Sequence, residues 1–246
     1  MRRTTRAAAL TAAVCVGGGL LSPPAQAGDG ARQYRVTITV KAPGQPLTPP
    51  LVATHRRSVD VFEVGDRARP GVREIAENGN LAPLQARLEG SPQVADVFAA
   101  DEPLVGPRLP GAAMFDRSVT FRISGNRGAK YLSWVSMLVC TNDGFTGVDT
   151  LRLPRRVGDR AFARTAGYDA GTEVNTEDFA DIVPPCQGLT LPAPVEPGSG
   201  TSDPALAEDG VITHHDGIMG GVDLDPALHG WDTAAPVAKI KVVRVR

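Results

Sequence analysis

The sequence predicts an all-β fold, an antiparallel β-sandwich with short helices set into its loops, and three observations carry that expectation. The two ends of the chain beyond residue 30 alternate apolar and polar residues with a period of two. Several further short runs of β type lie between them, parted by turns rich in Gly and Pro, in a chain that holds 27 glycines and 21 prolines. Only two stretches read as helix, and both are brief.

The first strand is YRVTITV, 34–40, in which Tyr34, Val36, Ile38 and Val40 fall on one face and Arg35, Thr37 and Thr39 on the other. That alternation is what a half-buried strand requires, because successive side chains point to opposite faces. SVDVFEV (58–64), RSVTFRI (117–123), YLSWVSMLV (131–139) and GVDTLRL (147–153) read as further strands. VAKIKVVRV, 237–245, closes the set with Ala238, Ile240 and Val242 on one face and Lys239 and Lys241 on the other. Six or more such runs between turn residues predict a sandwich. RPGVREIAENG (69–79) has Pro70 in the first turn of a helix and Asn78-Gly79 as its stop. NLAPLQARLEG (80–90) starts at a capping Asn80 and repeats Leu81, Leu84 and Leu88. Both helices are expected to pack over an open end of the sandwich. Residues 187–210, rich in Pro, Gly and Ser, are expected as a long surface loop, since the last strand is still needed to complete a sheet.

Residues 1–27 read as a secretory signal: Arg2, Arg3 and Arg6, an apolar run from Ala7 to Leu21, then small residues Ala25 and Ala27 before Gly28. The run is too short for a transmembrane segment. A lipoprotein anchor at Cys15 is disfavoured, because no leucine stands three residues before it. The expectation is a secreted, extracellular chain with one domain over 28–246. Without the leader, 23 basic residues face 27 acidic ones. With no basic stripe interleaved with aromatics in the sequence, a nucleic-acid partner is not expected. Cys140 and Cys186 remain, and a pair in a secreted chain reads as a disulfide, the other reading being two separate buried thiols.

AGYDAGTEVNTEDF, 166–179, places Asp169 and Glu173 four residues apart with Gly171 between them, which favours a tight loop over a helix. Two nearby carboxylates repel unless something positive lies between them. Calcium takes six to eight oxygen ligands and suits such loops; Asp143, after the strand YLSWVSMLV, is the third candidate. The plain reading of any one of these residues is an aspartate bonded to its own turn. His214 and His215 suggest zinc, copper or nickel, but adjacent residues of a strand point opposite ways, so both are read as surface-turn residues. Glu63 and Asp66 are read as a solvated turn. No nucleophile elbow, phosphate loop or H-E-x-x-H helix is present in the sequence, so no catalytic residue is assigned and an enzyme is not expected.

LVCTNDGFTGVD, YDAGTEVN and the closing PVAKIKVVRV resemble the spondin N-terminal domain family, the domain that opens the F-spondin and mindin matrix proteins, over about Tyr34 to Val245. The resemblance implies an antiparallel β-sandwich related in shape to calcium-dependent phospholipid-binding domains, and a calcium ion held by Asp143, Asp169 and Glu173. Glu173 stands where the family carries Asp, and Tyr168 where Trp is usual. The thrombospondin-type repeats of the animal proteins are absent from this sequence, as in a bacterial-like single-domain member. The function expected is a calcium-binding module for extracellular binding or adhesion, its ligand a carbohydrate, lipid head group or protein. The alternatives are a metal-dependent hydrolase using His214 or His215 at the same loops, or a structural envelope protein.

Overall fold

A computed structural model describes residues 31–246, so the signal read at 1–27 and its Cys15 lie outside the described residues. In chain order the elements are β1 (Arg32–Val40), β2 (Leu51–His55), α1 (Pro70–Asn78), α2 (Ala82–Glu89), β3 (Val94–Ala99), β4 (Ser118–Gly125), β5 (Tyr131–Met137) and β6 (Gly144–Arg152). They continue with β7 (Arg160–Thr165), β8 (Gly167–Asp169), α3 (Pro185–Thr190), β9 (Thr213–His214), α4 (Pro226–His229) and β10 (Ala238–Arg244). Two antiparallel sheets result, one of four strands in the order β4-β1-β10-β7 and one of six in the order β3-β2-β5-β6-β8-β9. The expected all-β sandwich is present.

The last strand lies inside the four-stranded sheet, with Ile240 opposite Ile38 of β1 on one side and Ala163 of β7 on the other. Its inward residues Ala238, Ile240 and Val242 are fully buried, as the alternation predicts. They meet Val52 of β2 and Leu132 and Trp134 of β5 in one apolar core between the sheets.

A second core lies on the other face of the six-stranded sheet. Leu51 and Ala53 of β2 and Val135 and Met137 of β5 pack there with Val72 and Ile75 of α1 and Leu84 and Leu88 of α2. The helices therefore form a third layer over the sheet, not a lid on an open end of the sandwich. The reason is in β2 and β5, which bury apolar side chains on both faces and need cover on each. This two-sided burial also hid β2, LVATH, whose continuous apolar start lacks a period of two. β3, β7, β8 and β9 likewise fall outside the strands that the sequence predicts. SVDVFEV is not a strand: Val61 and Phe62 are buried, but the Val61 N–H donates to Asp149 Oδ1 (3.0 Å) and not to a neighbouring strand. Residues 187–190 belong to α3, after which the chain runs as irregular backbone to residue 210.

Cys140 and Cys186 are bridged, with 5.0 Å between their Cα atoms and a sequence separation of 46. The bridge ties the turn after β5 to α3, inside the helix-side core. In the chain-entropy account a loop of that length contributes about 4 kcal/mol by restricting the unfolded chain. Peptide mapping without reductant is expected to recover the linked pair, and Cys140→Ala with Cys186→Ala to lower the unfolding free energy by a few kcal/mol; a double variant as stable as the parent overturns this.

Candidate metal centre

Asp143 stands at the end of the turn that returns β5 into β6. Thr141 Oγ1 donates to Leu138 O (2.7 Å) and accepts from Gly144 N (2.9 Å), so the hydroxyl closes the turn from inside. A Cβ on Gly144 would lie 2.4 Å from that hydroxyl, which reserves the position for glycine. Gly144 pairs with Asp169 across β6 and β8, and Ala170 N donates to Asp143 O (3.2 Å). The register therefore sets Asp143 and Asp169 side by side.

After Asp169 the chain turns sharply. Asp169 Oδ1 accepts from Gly171 N (2.7 Å), and Gly171 is left-handed with φ of 67°. The segment is thus a loop, as the glycine predicts. A Cβ at Gly171 would also meet Val211 O at 2.6 Å. The second oxygen, Oδ2, accepts from Asn175 Nδ2 (2.6 Å).

The two oxygens of Asp143 differ. Oδ2 takes three donors: Thr172 N (2.7 Å), Thr172 Oγ1 (3.1 Å) and Glu173 N (3.0 Å). Oδ1 is buried and has no hydrogen-bond partner. An acceptor left dry inside a protein is costly, and more so on a group that carries charge. Burial, and after it the neighbouring Asp169 charge, push the Asp143 carboxyl up to about 6, against the pull of its three donors.

Glu173 takes a different direction. Its Oε1 accepts from Asp203 N (3.1 Å), and its carboxyl is pushed up to about 7, first by burial and then by the charge of Glu77. Glu77 is itself paired with Arg73, whose Nε lies 2.6 Å from Glu77 Oε1. Opposed ligands on calcium are about 4.8 Å apart. Among the described residues the one group of three His, Cys, Asp or Glu side chains whose atoms approach that closely is Cys140, Cys186 and His229, where both sulfurs belong to the disulfide. The structure brings Asp143 and Asp169 together and turns Glu173 toward Asp203 and Glu77.

His214 and His215 point to opposite surroundings. His214 is exposed and packs on the Tyr168 ring (5.3 Å), while His215 is buried against Trp231 (5.2 Å). His215 is therefore an interior residue and not a surface-turn one, because its amide pairs with Gly167 O (3.1 Å) at the sheet edge and turns the ring inward. Its Nδ1 accepts from Gly217 N (3.0 Å), which leaves the proton on Nε2, a buried atom with no partner. Burial lowers its pKa, while Asp169, Asp216 and Glu177 oppose that change. Glu177 is not among the residues that the sequence singles out. It is buried, has φ of 56°, and accepts the amides of Met219 (2.6 Å), Gly220 (2.7 Å) and Gly221 (2.5 Å), and nothing in the local sequence signals that role. Glu63 and Asp66 form the exposed turn expected of them.

The raised carboxyls give a pH dependence with a definite sign. In the folded chain Asp143 titrates near 6 and Glu173 near 7, against 3.8 and 4.5 for unperturbed groups. The folded state then holds more protons than the unfolded state over that window, so stability falls as pH rises through it. In chelator, the melting temperature is expected to drop between about pH 4.5 and 7.5, and Asp143→Asn with Glu173→Gln to flatten the drop. A wild-type profile that rises across this range would contradict the assignment.

Residues 43–178 match the family model described as Spondin_N. No curated protein matches the chain. The matched stretch holds Asp143, Asp169 and Glu173 together with β2 to β8, while β1 and β10 of the sandwich fall outside it. With more than half its length matched, the chain belongs to the Spondin_N family.

Proposed function

We propose that this chain is a secreted, calcium-binding module for extracellular binding or adhesion, with the ion held by Asp143, Asp169 and Glu173. Family membership supports an extracellular-type domain. No helix among the described residues is long and apolar enough to cross a membrane. The observation that carries the metal reading is Asp143 Oδ1, a buried, unpartnered carboxylate oxygen beside a second carboxylate. An all-oxygen donor set suits a hard cation, which would neutralise the repulsion between these carboxylates. Glu173 would exchange the Asp203 N–H bond for the ion.

The hydrolase reading has less support. A base or a metal ligand at His215 Nε2 needs a lone pair there, and the bond from Gly217 N to Nδ1 favours the tautomer without one. We therefore favour a binding module over an enzyme, its ligand a carbohydrate, lipid head group or protein.

Asp143→Asn tests the metal directly. An asparagine can offer its oxygen to the three donors and its amide to the space around the present Oδ1, which relieves the metal-free protein. Calcium binding to the folded state stabilises it by about 2.7 kcal/mol when free ion exceeds the dissociation constant a hundredfold. The variant is expected to melt above wild type in chelator and below it in saturating calcium, with magnesium less effective than calcium. Absence of calcium binding by wild type up to about millimolar ion, read by titration calorimetry, sinks the proposal.

A further inference from the structure

The outward face of the four-stranded sheet carries a charge pattern that folding alone does not explain. β1, β4, β7 and β10 together hold eight Arg or Lys residues and no carboxylate, so the 27 acids of the chain all lie elsewhere. Alternation sends Tyr34, Val36 and Ile38 inward and places Arg35, Arg122, Arg160, Arg164, Lys239 and Lys241 on the outer face. The register sets like charges directly opposite each other: Arg35 faces Arg122, and Arg164 faces Lys239. Such pairs destabilise a sheet. None of the six joins an ion pair among the described residues. Between them stand Thr37 and Thr120, their hydroxyls 2.8 Å apart, and Phe162, half exposed, with the Lys239 ammonium 5.3 Å from its ring centre.

We infer that this face docks on an anionic lipid surface, the phosphates of the head groups meeting the six cations. The cations span all four strands and extend along them, an area of roughly 15 Å each way. A linear polyanion would engage one row of them; a plane of head groups engages all. Phe162 supplies an aromatic ring at head-group depth, and the lysine stems reach past it to the phosphates. The face shares no residue with the carboxylates at Asp143 and Asp169, so docking here does not rest on the metal reading, and a test in chelator separates the two.

The test is co-sedimentation of the full chain, in chelator at about 0.1 M salt, where charges are screened beyond about 10 Å. Phosphatidylcholine vesicles with roughly one quarter phosphatidylglycerol are compared with pure phosphatidylcholine. Partitioning onto the anionic vesicles alone is expected. Each cation near such a surface contributes roughly fivefold, so Lys239→Glu with Lys241→Glu lowers binding at least about twentyfold. Arg87→Glu, on α2 in the far layer, changes it less than about threefold. Arg35→Gln with Arg164→Gln breaks both like-charge pairs, and is expected to bind less while melting higher without lipid. No binding to anionic vesicles, equal binding by the lysine double variant, or retention by soluble long-chain polyphosphate without vesicle binding each overturns the inference.

Discussion

Burial of the six-stranded sheet on both faces is the constraint on which the rest of this structure depends. Trp134 and Leu132 of β5 face the four-stranded sheet, while Val135 and Met137 of the same strand face α1 and α2. A strand covered on both sides cannot end in a loose loop without exposing apolar surface or leaving backbone groups dry. The turn after β5 is accordingly held from within by Thr141, by Gln45, whose side chain bonds Cys140 N (3.1 Å) and Cys140 O (3.1 Å), and by the disulfide. Asp143 is fixed at the end of that turn as a consequence. Its carboxylate is buried because the backbone that carries it has nowhere else to go.

Electrostatics divides the molecule along the same lines. Carboxylates gather in the loops around β6, β8 and the segments that follow, where burial and the charges of Asp169 and Glu77 push up the carboxyls of Asp143 and Glu173 respectively. The four-stranded sheet holds cations alone on its outer face. Arg73 is the cation that does enter the acidic region, through its pair with Glu77. The chain's net charge of −1 therefore conceals two surfaces of opposite sign. Each holds like charges close together at a cost in folding stability, which is what separate sites for partners of opposite charge would entail.

The aromatic packing links the sheet edge to the loops. Tyr168 sits among Phe62, Phe145 and His214, with ring centres between 5.3 and 5.4 Å away. It follows from the β8 register, which opposes Tyr168 to Phe145 and to His214 and so aligns three rings across neighbouring strands. Phe62 reaches that group from a loop whose hydrogen bonds go to Arg69, Arg87, Gln93 and Asp149 and not to the backbone of a neighbouring strand. Loop 58–64 thus earns its order from side-chain packing, without a ladder.

Local pattern by itself determined much of this protein. Alternation located β1 and β10 and the face each buries, RSVTFRI read as a strand matches β4, Pro70 and Gly79 bounded α1, and Gly171 marked the sharp turn between Asp169, which ends β8, and Glu173. Those features depend on neighbours a few residues apart, so a linear reading sufficed. Only the tertiary structure decided that β2 is a strand, since a strand covered on both faces has no period of two to detect. It alone showed that His215 lies inside, that Glu177 gathers three amides from a segment some forty residues onward, and that Glu173 turns to Glu77 and Asp203. It alone set Arg35 against Arg122 and Arg164 against Lys239, because cross-strand register is a relation between distant segments that no single stretch of sequence contains.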